Sequence, residues 1–296
     1  MSNKIGIVTV TFNSEPVLED FLASLTNQRH QNFVLYVVDN NSRDLTLDML
    51  AKAELPFEVR VIANQDNLGV AEGNNQGIEA ALSDKCDFIL LLNNDTHFPD
   101  DFLLNMLLEQ DALNADLLVP KIYYDDPRDT IWCAGGQLEI WRGYAATHLG
   151  INKKDCHELN VAKKINYSPT CAMLIKYDVF DKIGLMDKQY FVYCDDTDFC
   201  IRAYHAGLTL FYTPTPILFH KVSSLTGKGS PFSVRMTARN RVYMARKFSN
   251  LLFLPIHLVL IQFDFILRII LRMESLDEYK IRQKAFWEGM AMQVTK

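Results

Sequence analysis

The chain has 296 residues, of which 49% are hydrophobic and 22% charged, with only 13 glycines and 10 prolines. This composition excludes intrinsic disorder and collagen-like or low-complexity structure, and the length suits one large globular domain, alone or with an appendage. The formal net charge of −6 argues against a dedicated nucleic-acid binder, which would carry a basic surplus.

Short apolar runs alternate with amphipathic segments over the first 122 residues. The runs predict strands at 5–10, 33–38, 58–62, 88–92 and 117–122. The segments between them predict helices: one capped by Ser14, then 45–53, 70–82 and one from Pro99 through Gln110. These repeated β-α-β units predict an α/β fold with a doubly wound, mostly parallel, Rossmann-like sheet.

Polar clusters follow four of these strands, at 11–13, 39–42, 64–67 and 93–95. One such cluster is ordinary turn chemistry, because Asn and Asp tolerate a left-handed backbone. Four clusters at the carboxyl ends of parallel strands lie at one edge of the sheet, where folds of this class bind their ligands. The pattern therefore predicts a polar binding cleft at that edge.

The second half of the chain is less regular. It predicts a strand at 170–175, a short helix at 176–183, a helix at 195–206 and a strand at 208–212. Residues 131–140 predict a strand or loop that crosses the cleft. There Trp132, Gly135 and Gly136 are candidates for ligand contacts, although Trp132 suits a core position equally well.

Acidic side chains cluster at the start of the 195–206 helix, where the helix dipole favours Asp195, Asp196 and Asp198. One carboxylate would suffice as a cap, and crowding raises the pKa of at least one of them, which suits a general base. Asp95 and His220 each follow an apolar run. Together they suit a divalent metal that holds a diphosphate, although an Asx turn and a structural histidine are the alternatives.

The order of these parts resembles the inverting family 2 glycosyltransferases of the GT-A group, in particular rhamnosyltransferase-type enzymes of bacterial surface polysaccharide assembly. The resemblance covers roughly residues 5–250. The matching segments are VTVTFN (8–13), VVDNNS (37–42), NLGVAEGN (67–74), LLNNDT (91–96), AMLI (172–175), FVYCDDTD (191–198) and His220.

This resemblance implies a role for each matching position. Residues that line the nucleotide pocket, or pack around base, ribose and sugar, would be Thr11, Asn13, Glu15, Asp39, Asn41, Asn67, Gly69, Gly73 and Asn74, with Asp39 accepting a hydrogen bond from the pyrimidine. In the Asp-x-Asp motif, Asn93 replaces the first acid, Asn94 stands in the middle, and Asp95 would bind Mg²⁺ or Mn²⁺ with His220. Asp196 would be the catalytic base, and Asp195 replaces the usual Glu.

Basic residues of the last quarter are further candidates. Lys221, Lys228, Arg239 and Arg241 are expected to help offset the charge of the diphosphate, and Arg239-Asn240 resembles a pair in related enzymes whose role the sequence leaves open. Residues 221–296 carry 13 basic and 5 acidic side chains, so an acidic catalytic part precedes a basic tail. The uncharged stretch 251–263 is too short to span a membrane, and it suits a helix buried on the domain, a homodimer contact or an interfacial membrane helix.

We therefore expect a GT-A catalytic domain at 1–232, with a nucleotide-sugar half at about 1–125 and an acceptor half at about 126–232, followed by a helical extension at 233–296. The N-terminus shows no signal peptide, which predicts a cytoplasmic protein, peripheral on the inner face of the plasma membrane through 233–296. The expected donor is a dTDP- or UDP-sugar, with rhamnose the first choice, and the expected acceptor is a glycan or a polyprenyl-diphosphate-linked sugar.

Two other functions stay open at this point. A non-catalytic nucleotide-sugar-binding subunit of a polysaccharide assembly complex would explain Asn93, but not the presence of Asp95, Asp196 and His220 together. A sugar nucleotidyltransferase would need a Gly-rich basic loop near the first strand, and residues 11–16 offer none.

Overall fold

The computed structural model describes residues 3–222 and 229–294. The strands are β1 (Ile5–Thr11), β2 (Phe33–Asp39), β3 (Glu58–Ala63), β4 (Phe88–Leu92), β5 (Thr96–His97), β6 (Leu117–Tyr124), β7 (Ile131–Cys133), β8 (Gly136–Glu139), β9 (Ala145–His148), β10 (Lys163–Ile165), β11 (Ala172–Lys176) and β12 (Leu210–His220). The α-helices are α1 (Glu15–Thr26), α2 (Thr46–Lys52), α3 (Gly69–Ser83), α4 (Phe102–Leu113), α5 (Asp178–Ile183), α6 (Asp195–His205), α7 (Pro231–Phe248), α8 (Leu254–Ile270) and α9 (Leu276–Ala291).

A ten-stranded sheet forms the centre of the molecule, in the order β3-β2-β1-β4-β11-β6-β12-β10, with β5 paired to β12 and β7 to β6. The long strands run parallel except for β11, which is antiparallel to both of its neighbours. The strands β8 and β9 form a separate hairpin. The predicted doubly wound, mostly parallel α/β sheet is confirmed.

Helices cover both faces of the sheet, each over its own apolar core. On one face Phe21 of α1 and Phe102 of α4 are fully buried, and on the other Ile78 of α3 and Phe199 of α6. Each such side chain stabilises the fold by about 1.5–3 kcal/mol relative to an exposed position. The close contact of α3 with β1 depends on Gly77, because a Cβ there would lie 2.3 Å from Val8 Cγ1.

Three local predictions are wrong. The Ser14 hydroxyl does not cap α1; it accepts a hydrogen bond from the Phe12 N–H instead. Residues 131–140 are not one segment, because Gly135, with φ +77°, ends β7 before β8 begins. The predicted strand 208–212 is the start of β12, which continues to His220 across a register shift between Tyr212 and Ile217.

The chain ends in three helices, as the expected helical extension requires. They share a small core of apolar residues, which includes Val242 of α7, Ile261 and Phe265 of α8, and Phe286 of α9. Among residues 3–222 and 229–294, we find no helix with the length and apolarity needed to cross a membrane. The division at residue 232 stays a prediction, and α7 begins at Pro231.

Candidate active site

The carboxyl ends of β1 and β2 are joined by a hydrogen-bond network around Asp39. The Thr11 hydroxyl donates to Asp39 Oδ1 at 2.8 Å, and Ser42 donates its hydroxyl to Oδ1 and its N–H to Oδ2. Asp39 is fully buried, and both of its carboxylate oxygens already accept hydrogen bonds from protein donors. The predicted hydrogen bond from a pyrimidine would therefore go to an oxygen that already accepts one from the protein. The role of Asp39 in base recognition stays a prediction.

The loops beside this network carry the next predicted donor-binding residues. The Asn13 backbone N–H donates to Ser42 Oγ, and its side-chain oxygen accepts from the Arg43 N–H at 2.9 Å. Glu15 accepts from the Leu45 N–H at 3.2 Å. Asn13 and Asn41 both have positive φ, at 53° and 64°, which Asn tolerates better than most residues. These side chains thus shape the loops after β1 and β2.

The ends of β2 and β3 meet the start of α3 through buried amides. Asn40 donates to the Gly69 carbonyl at 3.0 Å, and Asn67 accepts from the Gly69 N–H at 2.9 Å. The other predicted α3 residues contact protein rather than an open cleft. A Cβ on Gly73 would lie 2.9 Å from Val10, and the Asn74 amide nitrogen lies 3.6 Å from Met186 Sδ. For Gly73 and Asn74 the sequence thus detected close helix packing.

Asp95 and His220 lie together, as the sequence predicts. Asp95 Oδ1 is 3.2 Å from His220 Nε2. Asp95 directly precedes β5, and β5 pairs with the end of β12, which carries His220. Within the described part of the chain, Asp95 Oδ1 and His220 Nδ1 are buried without a hydrogen-bond partner of good geometry. Asn94 instead donates inward to the Val10 carbonyl at 2.7 Å, and Asn93 is exposed.

This pair fits a divalent cation at a diphosphate. One carboxylate and one imidazole leave several coordination positions to phosphate oxygens and water, which is how Mg²⁺ is usually held beside phosphates. No third His, Cys, Asp or Glu completes a metal cluster among residues 3–222 and 229–294. Burial alone lowers the pKa of His220, but the neighbouring Cys171 and Asp95 outweigh it and raise the pKa to about 10.

Asp195 and Asp196 open α6 and lie in a different environment from Asp198. Asp198 is fully buried and neutralised, with Oδ1 2.6 Å from Arg202 Nε and Oδ2 2.7 Å from Lys247 Nζ. It stabilises the start of α6 and is not available to a substrate. Of the three carboxylates in the motif, only Asp195 and Asp196 remain for chemistry.

The pKa of each of these two carboxyl groups is raised, mainly because both are taken out of water. For Asp195 the charge of Asp196 adds to burial and raises the pKa to about 8. For Asp196 burial is opposed by donors that stabilise its anion: the Thr197 N–H at 2.6 Å, the Thr197 hydroxyl at 3.1 Å and the Tyr167 hydroxyl at 3.2 Å. The arrangement favours a shared state in which Asp195 holds the proton and Asp196 the charge.

Tyr167, His148 and Trp132 link the two carboxylate sites, and sequence reasoning missed the first two. The Tyr167 hydroxyl also lies 3.4 Å from His148 Nε2, and burial lowers the pKa of His148 to about 4. The Trp132 ring stands edge-on to both His148 and His220, with centroids 4.7 and 4.4 Å apart. A continuous line of contacts therefore joins Asp196 to Asp95.

Gly136 is a sequence feature that relates to Tyr167, and the relation is visible only once the structure is known. Gly136 is one of the predicted ligand contacts, and a Cβ there would lie 2.5 Å from Tyr167 Cδ1. Position 136 therefore requires a glycine, because the tyrosine ring lies against it. A Cβ on Gly135 would likewise crowd Ile165 and Tyr212. Both glycines thus allow close packing against other parts of the protein.

The expectation of free cations near the diphosphate is wrong for Arg239 and Arg241. Arg241 Nη1 lies 2.6 Å from Asp264 Oδ2, and Arg239 donates to the carbonyls of Gln189 and Tyr190. Lys221 follows His220 and is paired with Asp20. Lys228 lies outside the described residues.

Comparison with known proteins identifies relatives for most of the chain. A family model, "Glycosyl transferase family 2", matches residues 6–184. The dTDP-rhamnosyl transferase RfbF of Shigella flexneri is 25% identical over 234 residues, which cover 77% of this chain and 72% of RfbF. The N-acetylglucosaminyl-diphospho-decaprenol L-rhamnosyltransferase of Mycobacterium tuberculosis is 25% identical over 251 residues, which cover 77% of this chain and 79% of that enzyme.

Solved structures support the fold. S. aureus TarS in complex with UDP-GlcNAc superimposes with a TM-score of 0.54 and 18% identity over 81% of this chain and 66% of that one. GalNAc-T7 with UDP, GalNAc and Mn²⁺ gives 0.65 and 14% over 97% of this chain. The chain spans 56% of the GalNAc-T7 chain and just under two thirds of TarS. These similarities confirm a GT-A fold.

Proposed function

The chain belongs to glycosyl transferase family 2, and we propose that it moves a sugar from a nucleotide diphosphate to an acceptor hydroxyl with inversion at the anomeric carbon. The observation that carries the proposal is the line of contacts from the Asp195–Asp196 pair through Tyr167 to Asp95 and His220. This line of contacts supports the proposal that Asp196 acts as a base close to a cation held by Asp95 and His220. Both are what an attacking hydroxyl and a departing diphosphate need.

Asp196 is the proposed base. The acceptor oxygen loses its proton to an Asp196 carboxylate oxygen as it bonds to the anomeric carbon. The bond from that carbon to the phosphate oxygen breaks, and the nucleoside diphosphate keeps the electron pair. Asp196 suits this task better than Asp195 because its side chain is partly exposed, whereas Asp195 is buried and its pKa is raised to about 8. A raised pKa makes the base stronger, which helps it accept a proton in the transition state.

Asp95 and His220 are the proposed ligands of Mg²⁺ or Mn²⁺. When bound, such an ion offsets the negative charge that gathers on the departing diphosphate. The 3.2 Å approach of Asp95 Oδ1 to His220 Nε2 supports this role, because a divalent cation that replaced the imidazole proton would take both groups as ligands. The Asn94 side chain holds the turn in place through its hydrogen bond to the Val10 carbonyl. Asp95 is the one carboxylate in the motif Asn93-Asn94-Asp95.

A dTDP- or UDP-sugar is the proposed donor, with dTDP-rhamnose first. The support is the name of RfbF as a dTDP-rhamnosyl transferase and the polar network of Thr11, Asp39 and Asn40 at the strand ends. The proposed acceptor is a sugar on a polyprenyl diphosphate, because the mycobacterial relative is named for such an acceptor. A free glycan is the other acceptor class.

A lipid-linked acceptor requires approach to a membrane, and α8 carries a suitable surface. Six apolar residues spaced alternately by four and three form one stripe along the helix and the turn before it, 43–81% exposed: Leu252, Ile256, Val259, Phe263, Ile266 and Ile270. We call this the α8 stripe. The opposite side of α8 is buried through His257, Ile261 and Phe265, so the stripe faces outward. A surface of this kind indicates a binding partner.

The occupant we propose for the α8 stripe is an anionic membrane surface. Exposed apolar residues continue past the helix at Leu271, Met273 and Leu276, a breadth greater than a helix–helix seam needs. Exposed Trp141 and Trp287 add amphipathic rings, which concentrate at membrane interfaces. Many of the tail's basic side chains are engaged internally, but Arg272 and Lys284 make no ion pair with the described residues and remain for lipid phosphates.

The experiment that tests the function is acceptor-dependent release of nucleoside diphosphate. Purified protein is incubated with Mn²⁺ and dTDP-rhamnose, UDP-GlcNAc or a GDP-sugar, with and without a polyprenyl-diphosphate-linked N-acetylglucosamine. We expect release and a sugar-extended lipid with a dTDP- or UDP-sugar, and none with the GDP-sugar. Tight donor binding without turnover on any acceptor would favour the non-catalytic binding subunit instead.

A further inference from the structure

The five residues before Asp195 form a backbone loop of unusual conformation, residues 190–194. Phe191, Tyr193 and Cys194 all have positive φ, between 63° and 66°. A side chain other than glycine disfavours this conformation, so the loop persists only if its surroundings hold it. The loop leads directly into the proposed base, and its geometry sets where Asp196 lies.

Asn240 of α7 holds this loop from one side. It is fully buried, and its amide nitrogen lies within hydrogen-bond distance of three loop carbonyls: Tyr190 at 3.0 Å, Val192 at 2.8 Å and Tyr193 at 2.8 Å. Its amide oxygen accepts from Arg239 Nε at 2.8 Å, which fixes the amide with its donors towards the loop. One helix residue therefore contacts three backbone carbonyls of the loop.

Arg239 reinforces the same contact. Its Nη2 donates to the carbonyls of Gln189 at 3.1 Å and Tyr190 at 2.8 Å, so the guanidinium and the amide together satisfy four carbonyls. Burial lowers the pKa of Arg239, and the nearby Arg235 adds to that effect. Such a cation is held inside by the carbonyl dipoles that it binds. This gives the Arg239-Asn240 pair a role that its sequence left open.

The start of α3 holds the loop from the opposite side. The Phe191 carbonyl accepts from the Val70 N–H at 2.6 Å, and a Cβ on Gly69 would lie 2.4 Å from that same carbonyl oxygen. Gly69 is in turn bonded to Asn40 and Asn67 at the strand ends. The 190–194 loop is thus fastened between the proposed donor-binding loops and α7.

We propose that Asn240, supported by Arg239, is a positioning residue for the Asp195–Asp196 pair. It acts through the 190–194 loop and touches no reacting atom. Without the three hydrogen bonds the strained loop relaxes, and Asp196 no longer meets the acceptor hydroxyl in line with the anomeric carbon. Displacements of about 1 Å in such alignment cost up to a hundredfold in rate. The inference rests on the proposed function of Asp196.

The test compares two variants of one helix. Asn240→Ala removes the loop contacts, whereas Val242→Ala removes a buried side chain of α7 that packs in the core of α7, α8 and α9. We expect Asn240→Ala to lower kcat about 50-fold, with the Kd for the donor nucleotide within threefold of wild type. Val242→Ala should lower the melting temperature comparably and leave kcat within threefold.

A kcat for Asn240→Ala within threefold of wild type would overturn the inference, as would an equal loss in Val242→Ala. If Asn240→Ala does not fold, Arg239→Gln gives the answer, with an expected kcat loss of about tenfold. The acid limb of the kcat–pH profile should also move to lower pH in Asn240→Ala, since water then reaches the carboxylate pair. An inactive Asp196→Asn beside an active Asn240→Ala defeats this inference alone, whereas a fully active Asp196→Asn defeats the assignment of the base.

Discussion

The Tyr167 hydroxyl donates to Asp196 Oδ2 at 3.2 Å, from a ring that packs against Gly136 across the cleft wall. A donor on a carboxylate stabilises its charged form and lowers its pKa. Together with Thr197, Tyr167 thus opposes the burial that raises the pKa of Asp196. These donors favour the charged form of Asp196 beside Asp195, whose own pKa is raised to about 8.

Tyr167→Phe tests this balance. Removing the hydroxyl leaves burial less opposed, so the pKa of Asp196 rises and the base loses its proton only at a higher pH. The acid limb of the kcat/KM–pH profile should therefore move up by about one unit, with activity nearly unchanged above it. Tyr144→Phe is the matched control, because its buried hydroxyl binds the Phe248 carbonyl instead. An unmoved acid limb in Tyr167→Phe would count against the contact.

Asp195→Asn tests the proton on Asp195 through stability. In the unfolded chain this carboxyl loses its proton near pH 4, whereas in the fold it does so at about 8. Between these values the folded state binds more protons, so wild-type stability falls as pH rises. Asp195→Asn removes that fall and should be more stable than wild type at pH 8 by on the order of 1–3 kcal/mol, but not at pH 4.

Urea unfolding at both pH values measures the difference, and Glu19→Gln, at an exposed position of α1, is the control. Parallel pH dependence in wild type and Asp195→Asn would show that Asp195 is ionised in the fold.

Asp95→Ala tests the cation site. Calorimetry of dTDP binding should show at least tenfold tighter binding with Mn²⁺ than with EDTA in wild type, and no such gain in the variant, because one of two protein ligands is lost. His97→Ala removes a nearby imidazole that pairs with Asp125, and it should keep the gain. If wild-type protein bound dTDP equally tightly with Mn²⁺ and with EDTA, this result would argue against a metal role for Asp95.

The double variant Val259→Asn with Phe263→Asn tests the α8 stripe. Wild type should sediment with vesicles containing phosphatidylglycerol and less with pure phosphatidylcholine, and the variant should lose most of this binding because two exposed apolar side chains are gone. Leu108→Asn, at another exposed apolar position, should bind as wild type does. A wild-type dimer that the double variant turns into a monomer, without vesicle binding, would assign the stripe to a second copy.

The sequence predicted those candidate site residues that follow regular elements. Asp95, His220 and Asp196 each adjoin an apolar strand or a helix start, where side-chain direction follows from the backbone period. Tyr167 and His148 come instead from short strands and turns between β7 and β11, whose packing depends on contacts distant in sequence. No periodicity marks such residues.

Charge counting misled in the tail for a related reason. The surplus of basic residues after residue 220 suggested a cationic surface, but Arg241 pairs with Asp264, Lys247 with Asp198, and Arg282 with Glu274. Several of the tail's cations hold the helices to each other and to the catalytic part. The tail therefore exposes an apolar stripe, which the stretch 251–263 did indicate, beside a small number of cations, such as Arg272 and Lys284, that have no ion pair within the described residues.

The most direct measurement for the whole account is single-turnover transfer by Asp196→Asn beside wild type. Asparagine keeps the shape and can still meet Thr197, but it cannot accept the acceptor proton. We expect a rate of sugar transfer lower by about 10²–10⁴, with donor affinity within threefold and inversion at the anomeric carbon in the wild-type product. Transfer at the wild-type rate by Asp196→Asn, or a product with retained configuration, would contradict it.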